Sequence, residues 1–327
     1  MKSWWRKDAS AAPEVAVPTF ARPSAENVLR RLEWTVIRRL DGLLQGDYRT
    51  LLRGVGLDLA DLREYQHHDD VRHIDWNVTA RLEIPHVREF TEDREMAAWF
   101  LVDLSPSVDF GSGELAKRNV SAEFVAVIAR MLTRRGNRVG AVLYGSGVDS
   151  VIPTRGGRRH VLHLLDAIQK RQAAAETGTT NLRELLEAGA SLIKRRSTIF
   201  VVSDFISEPG WERALALLAQ RNEVVAVRVV DPLELDLPDL GLLTMRDSET
   251  GEQLLVDTHD KSFRKRFARI AAQREAELRQ AFVKAGVDAL ELATDGELVD
   301  AVVRFVEMRK RRTRMAGGGL PAHLRAA

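Results

Sequence analysis

Apolar and polar positions follow two alternating periods from residue 97 onward. Short apolar runs predict buried strands, and they lie at residues 97–103, 138–144, 197–204, 223–230 and 287–292. Between them, apolar positions recur with helical spacing at residues 117–135, 158–172, 181–195, 208–221 and 295–312. Alternating strands and helices form parallel βαβ units. The pattern therefore predicts an α/β fold with a doubly wound, mostly parallel sheet.

Other segments depart from this alternation. Residues 25–45 have helical spacing, with Ser24 as a possible cap and Gly46 as a stop. Residues 47–95 are dense in charge and predict an irregular module. A run at 148–153 predicts a hairpin arm beside 138–144. Two runs at 242–245 and 253–256 predict a two-stranded ribbon before a long helix at 259–285.

These patterns divide the chain into four parts. We expect a flexible N-terminus, a smaller N-terminal module, the α/β domain and a flexible tail, at residues 1–24, 25–95, 96–312 and 313–327.

Composition removes several classes of function. The chain has 327 residues and no cysteine, so disulfides, thiolate metal sites and a cysteine nucleophile are excluded. The 49 basic residues nearly cancel the 47 acidic ones, which argues against a dedicated nucleic-acid binder. No apolar run approaches the roughly 18 residues that span a bilayer. We therefore expect a soluble, cytoplasmic protein without a transmembrane segment.

Oxygen-bearing side chains follow two of the predicted strands. The run at 97–103 ends in Asp103-Leu104-Ser105-Pro106-Ser107, and Asp204 ends the run at 197–204. Thr180 lies in the polar loop before the helix that begins near residue 181. In an open parallel sheet, ligands bind beyond the carboxyl ends of the strands, where strand order reverses.

Hard oxygen donors of this kind suit a divalent cation. The predicted ligands of Mg²⁺, or of Mn²⁺, are Asp103, Ser105, Ser107, Thr180 and Asp204. A set rich in hydroxyls leaves the ion only partly neutralised, so one position would attract a carboxylate from a partner protein. The plainer alternative is that these Asp and Ser residues only cap turns.

The three-part pattern resembles the metal-ion-dependent adhesion site of von Willebrand factor A domains. One departure is Phe205, which stands where many of those domains have Gly. We expect it to narrow the access to the ion.

A second signature precedes the strands. It runs from Gly46-Asp47-Tyr48-Arg49 to Arg72-His73-Ile74-Asp75-Trp76 and Ala80-Arg81. With the von Willebrand A-like remainder, it resembles the bacterial domain-of-unknown-function family 58 over roughly residues 40–310. The resemblance implies a soluble adaptor that works with a MoxR-type AAA+ ATPase in the assembly or maturation of other proteins.

The residues of this signature admit two interpretations. Asp70, Arg72, Asp75 and Arg81 could form ion pairs that lock the module, with Trp76 as a buried anchor. Alternatively, they form a docking surface for the partner.

These observations favour a non-enzymatic, magnesium-dependent protein-binding adaptor. One alternative is a phosphatase-like hydrolase that uses Asp103, although the second acid that such enzymes need is replaced by Ser105. Another is a nucleic-acid adaptor that uses the basic run Arg309-Lys310-Arg311-Arg312. No phosphate-binding loop of the Walker type is present, so we expect no ATP hydrolysis.

Overall fold

The computed structural model describes most of the predicted α/β domain. The described residues are 24–44, 61–66, 69, 71, 74–89, 97–113, 115–171, 179–246 and 253–317. Their strands are β1 (Asp61–Glu64), β2 (His86–Glu89), β3 (Ala97–Asp103), β4 (Arg138–Tyr144), β5 (Val148–Arg155), β6 (Thr198–Ser203), β7 (Glu223–Val230), β8 (Leu242–Arg246), β9 (Gln253–Asp257) and β10 (Asp288–Ala293). Their helices are α1 (residues 25–43), α2 (Trp76–Leu82), α3 (Lys117–Arg134), α4 (Arg158–Lys170), α5 (Leu182–Leu192), α6 (Trp211–Arg221), α7 (Pro232–Leu235), α8 (Lys261–Ala285) and α9 (Leu298–Gly317).

Six strands form one sheet in the order β10-β7-β6-β3-β4-β5. All neighbours are parallel except β5, which is antiparallel to β4. The chain enters at β3, moves to β4 and β5, and then crosses to β6, β7 and β10 on the other side. Strand order therefore reverses between β3 and β6, which confirms the predicted doubly wound, mostly parallel sheet.

Alternating residues of the buried strands fill two cores, one on each face of the sheet. Phe100 of β3 stacks on Phe200 of β6 at 5.3 Å between ring centroids, and both belong to the core that includes α3, α4 and α9. Leu101 points the other way, into the core that includes α5, α6 and α8. Both faces of a parallel sheet are covered in this way, so its strands read as near-continuous apolar runs.

Helix α1 packs on the first of these cores. Its apolar stripe was predicted from spacing, and the structure buries Leu29, Ile37 and Leu40 completely. The Ser24 hydroxyl accepts the N–H of Asn27 at 3.3 Å, as expected of a cap. Arg130 of α3 donates to Glu33 at 2.6 Å. Helix α1 thus shares its core with the sheet, whereas the predicted stop at Gly46 lies outside the described residues.

The described part of residues 61–89 holds more regular structure than the charge pattern predicted. Strands β1 and β2 pair antiparallel, and α2 lies between them. Each strand has four residues, and charged or polar residues make up three of the four. Such short segments contain too few apolar positions to show a period of two, which is why an irregular module was expected.

Elements after β7 largely follow the prediction. Strands β8 and β9 form the expected antiparallel ribbon, whereas its connection at 247–252 lies outside the described residues. Helix α9 continues to Gly317, whereas the helix was expected to end at residue 312. None of the helices in the described ranges is long and apolar enough to cross a membrane.

Candidate metal centre

Strand β3 ends at Asp103, whose carboxylate is fully buried at the carboxyl edge of the sheet. Asp103 Oδ1 accepts the backbone N–H of Ser105 at 2.9 Å, and Oδ2 accepts the hydroxyl of Ser203 at 2.7 Å. Ser203 is the last residue of β6, the neighbouring strand. The two bonds therefore fix this carboxylate at the point where strand order reverses.

The turn after Asp103 brings two hydroxyls together. Ser105 and Ser107 are buried, and their Oγ atoms lie 3.1 Å apart. Arg118 holds this turn, since its Nη2 donates to the carbonyl of Leu104 at 3.2 Å and to Asp109 Oδ2 at 2.9 Å. The turn thus presents two oxygen donors beside the Asp103 carboxylate.

Asp204 directly follows β6 and is also buried. Its Oδ1 accepts the N–H of Ile206 at 2.9 Å. Phe205, the next residue, has φ of 59°, in the left-handed region that favours Gly. The Phe205 ring lies 5.4 Å from the ring of Trp211 and 4.9 Å from that of Phe282. The ring thus packs in the core that includes α6 and α8. It was expected instead to narrow the access to an ion.

Thr180 is buried in the loop before α5. Its carbonyl accepts the Ser207 hydroxyl at 2.9 Å and the Glu208 N–H at 2.9 Å. Ser207 and Glu208 belong to the same loop as Asp204, so these bonds tie the Thr180 loop to the Asp204 loop.

The electrostatics of the cluster favour an added positive charge. Burial, and then the nearby negative charge of Asp204, raise the pKa of Asp103 to about 6. Hydrogen bonds from Ser105 and Ser203 act in the opposite direction but do not cancel these effects. A cation that approaches this carboxyl would lower its pKa again.

One buried cation already lies beside Asp204. Lys117 is completely buried, and its Nζ donates to Asp204 Oδ2 at 2.7 Å and to Glu234 Oε1 at 2.6 Å. Burial lowers the pKa of Lys117, but Asp204 and Glu234 more than offset this effect and leave the pKa raised. Of these three side chains, only that of Glu234 reaches solvent appreciably, at 22% exposure.

Sequence reasoning missed Lys117, Ser203 and Glu234. A signal for Lys117 was available, because Lys117 and Arg118 open helix α3. Positive charge at a helix N-terminus opposes the macrodipole and needs a local anion. No comparable signal marked Ser203, which reads as an ordinary strand residue.

The donor set is compatible with Mg²⁺ or Mn²⁺. The predicted ligands provide carboxylate and hydroxyl oxygens, which are the hard donors that these ions prefer. All five residues are at most 5% exposed. Across the described ranges, no cluster of three or more His, Cys, Asp or Glu could hold an ion. A site of this composition would therefore depend on hydroxyl ligands as much as on charge.

Residues of the second signature are only partly described. Asp70 and Arg72 lie outside the described residues. Asp75 is buried, and its Oδ1 accepts the N–H of Val78 at 3.2 Å in the first turn of α2. Trp76 is 69% exposed, which contradicts its interpretation as a buried anchor. Arg81 is also exposed. Asp75 thus has a structural role, whereas Trp76 and Arg81 are available to a partner.

The basic end of α9 is partly neutralised. Arg309 donates to Asp288 at 2.7 Å and also pairs with Glu223, and Arg312 pairs with Asp288 at 2.5 Å. These pairs reduce the positive charge that the nucleic-acid alternative requires.

Comparison with known sequences identifies one family and several relatives. A family described as "Protein of unknown function DUF58" matches residues 61–277. An uncharacterized protein of Mycobacterium tuberculosis is 36% identical over 289 residues, which cover 88% of this chain and 91% of that protein. An uncharacterized protein of Mycobacterium avium is 33% identical over 160 residues, covering 49% of this chain and 94% of that protein.

Solved structures with similar folds include BatB from Bacteroides thetaiotaomicron and the VWA domain of SpRpn10. BatB has a TM-score of 0.41 and 13% identity, covering 66% of this chain and 99% of its own. The SpRpn10 domain has a TM-score of 0.34 and 11% identity, covering 64% of this chain and 93% of its own.

Proposed function

This chain belongs to the DUF58 family and has a von Willebrand A-like fold, and we propose that it is a non-enzymatic, Mg²⁺-dependent protein-binding adaptor. The family and fold together fit a protein-interaction role. The dependence on Mg²⁺, the site and the partner are the parts that we propose.

The cluster at the switch point carries this proposal. Asp103 and Asp204 lie at the ends of neighbouring strands, and burial, followed by the negative charge of Asp204, raises the pKa of Asp103. Ser105 and Ser107 add hydroxyl oxygens beside them. Simple turn capping explains the bonds of Asp103 and Asp204 to backbone N–H groups. It gives no reason for two hydroxyls to converge beside two buried carboxylates, of which Lys117 contacts that of Asp204.

The residues of the cluster would have separate roles in binding the ion. Ser105, Ser107 and Thr180 would supply uncharged oxygens, and Asp103 and Asp204 would supply negative charge. A bound Mg²⁺ would offer its remaining coordination position to a carboxylate of the partner. The two strand ends hold the donors in place, since Asp103 is anchored by Ser203 across the strand boundary.

One feature argues against a hydrolase that uses Asp103 as its nucleophile. The position two residues later is Ser105 rather than an acid. The hydrolase alternative lacks the general acid that would accompany an aspartate nucleophile.

We propose a MoxR-type AAA+ ATPase as the partner, because the family resemblance implies it. The exposed Trp76 supports a second contact through the N-terminal module, since aromatic residues are enriched among interface anchors.

The test uses the full chain and a MoxR-type ATPase encoded in the same genome. Wild-type protein, Asp103→Asn and the control Ser191→Ala are immobilised separately. The ATPase is then added in about 5 mM Mg²⁺ or in about 5 mM EDTA. Ser191 is exposed on α5 and bonds only within its own helix turn. We expect binding by wild type and Ser191→Ala in Mg²⁺, and none by Asp103→Asn or in EDTA.

Other outcomes would overturn the proposal. If neither EDTA nor Asp103→Asn changes binding of the ATPase, the metal has no role in the interaction. Turnover of a phosphate ester that disappears in Asp103→Asn would favour the hydrolase. Steeply salt-dependent binding of duplex DNA would favour the nucleic-acid adaptor.

A further inference from the structure

Lys117 and Asp204 form a buried ion pair inside the proposed metal cluster. The Lys117 ammonium contacts Asp204 Oδ2 at 2.7 Å, while Asp204 Oδ1 accepts the N–H of Ile206. Both oxygens of this carboxylate therefore accept one hydrogen bond each. An ion that uses Oδ2 of Asp204, directly or through a water, must share that oxygen with the ammonium or displace the ammonium, and an ion on Oδ1 lies on the same carboxylate as the ammonium.

The ammonium also reaches a third carboxylate. Lys117 Nζ lies 2.6 Å from Glu234 Oε1, whose other oxygen accepts the N–H of Asp231 at 3.2 Å. Glu234 thus belongs to the capping box of α7 and is held independently of Lys117. The contact gives the ammonium a fixed second anchor, so it stays beside the cluster.

Charge determines what this arrangement does to a divalent ion. One ammonium contacts the carboxylates of Asp204 and Glu234, and the negative charge of Asp204 also acts on Asp103. Its positive charge offsets part of their attraction for a cation, and charges act strongly at short range in a buried setting. Removing the ammonium strengthens the attraction for metal, whereas removing the Glu234 charge weakens it.

We propose that Lys117 is a tethered counter-ion that competes with the divalent metal for Asp204 and lowers the metal affinity of the site. This inference rests on the proposed function, because it concerns the same cluster. It assigns to Lys117 a role in metal affinity rather than in ligation, and to Glu234 the opposite effect.

The experiment compares two variants that break the same contact. Mn²⁺ affinity is measured by calorimetry for wild type, Lys117→Met and Glu234→Gln at neutral pH. We expect Lys117→Met to bind Mn²⁺ about tenfold tighter or more, and Glu234→Gln to bind it more weakly by a similar factor. A purely structural role predicts that both variants change affinity in the same direction.

Matched controls come from exposed ion pairs. Lys170→Met removes a lysine that pairs with Asp166, and Glu187→Gln removes a glutamate that pairs with Arg183, both on helix surfaces. Neither control should change Mn²⁺ affinity. Thermal unfolding in EDTA checks that each variant is folded. If Lys117→Met does not fold without metal, Glu234→Gln still tests the inference, because unchanged or tighter binding contradicts it.

The outcomes separate this inference from the proposed function. If wild type binds no Mn²⁺ and Lys117→Met does, the inference holds and a metal-dependent role of the natural chain fails. If wild type binds Mn²⁺ and Lys117→Met binds it equally well, the inference fails and the proposed function remains. If neither wild type nor Lys117→Met binds Mn²⁺, the inference and the proposed function both fail.

Discussion

The hydroxyl of Ser203 donates a 2.7 Å hydrogen bond to Oδ2 of Asp103, joining the ends of two neighbouring strands. Because Oδ1 also accepts the N–H of Ser105, the Asp103 carboxylate has two separate effects on the stability of the fold. It satisfies two buried donors, and it places a negative charge near Asp204.

These two effects can be separated by substitution. We expect Asp103→Asn to be at least as stable as wild type in EDTA, because it removes the repulsion and keeps an acceptor for Ser105. Asp103→Ala should be less stable than Asp103→Asn by about 1–3 kcal/mol, since it leaves a buried donor unpaired. Urea unfolding at neutral pH measures both, and equal stability of the two variants would contradict the assigned hydrogen bonds.

Metal addition should stabilise the wild-type protein. Linkage gives about 2.7 kcal/mol at a free ion concentration one hundred times Kd, and we expect the unfolding midpoint to rise accordingly in Mn²⁺. Ser107→Ala should reduce the rise because it removes one hydroxyl ligand, whereas Ser191→Ala should retain it. A rise that is equal in all three proteins would place the ion elsewhere.

Phe205 should prefer Gly to Ala as a replacement. Its φ of 59° is unfavourable for any side chain with Cβ, whereas Gly adopts it readily. We expect Phe205→Gly to be about 1 kcal/mol more stable than Phe205→Ala, although both lose the aromatic packing. The control is Phe282, which lies in helix α8. There, Ala should be the more stable replacement by about 1 kcal/mol in urea unfolding. If the same replacement, Gly or Ala, is the more stable one at both positions, the backbone of Phe205 is not strained.

Asp231 should make stability depend on pH in the acid range. Burial raises its pKa, but hydrogen bonds from Ser112, Thr294 and Leu233 bring the pKa below its ordinary value of 3.8. The folded state therefore releases this proton more readily than the unfolded state. The resulting stabilisation is present above pH 3.8 and is lost as pH falls through the folded pKa.

We expect wild type to exceed Asp231→Asn in free energy of unfolding at neutral pH, and the difference to shrink near pH 3, about one unit below the ordinary value. Thr294→Val removes one uncharged partner and should cost about 1–3 kcal/mol. A wild-type advantage over Asp231→Asn that stays constant with pH would argue against the lowered pKa.

Helix α1 should unfold together with the sheet. Leu40 is completely buried in the core that includes α3 and α9, so Leu40→Ala should cost about 2–5 kcal/mol. Leu43 is 54% exposed, and Leu43→Ala should change little. A single shifted transition in thermal unfolding would support one cooperative unit, whereas an early separate transition in Leu40→Ala would contradict it.

Local pattern was enough to predict most of the sheet. The apolar run that ends in Asp103 was predicted as a strand over 97–103, and β3 has those bounds. The strand at 223–230 was also predicted correctly. Such runs are informative because a strand covered on both faces contains almost no polar residues. Strands β1 and β2 were missed because four residues with a single apolar position carry no comparable signal.

The candidate site was predicted only as far as residue chemistry allowed. The Asp and Ser positions after β3 and β6 were recognisable because strand ends in a parallel sheet share one edge. The exposure of Trp76 was not recognisable, since an aromatic residue in a charged segment is compatible with either a buried or an exposed position.

The sequence by itself determined the fold class, the family and the oxygen-rich strand ends, because each depends on neighbouring residues or on a pattern that the family shares. Only the tertiary structure decided which charges meet. Lys117 and Asp204 are 87 residues apart in sequence, yet the fold brings them into a buried contact. A buried charge is stable only with its partner, and that partner is chosen by how helices and strands pack, which no local pattern records.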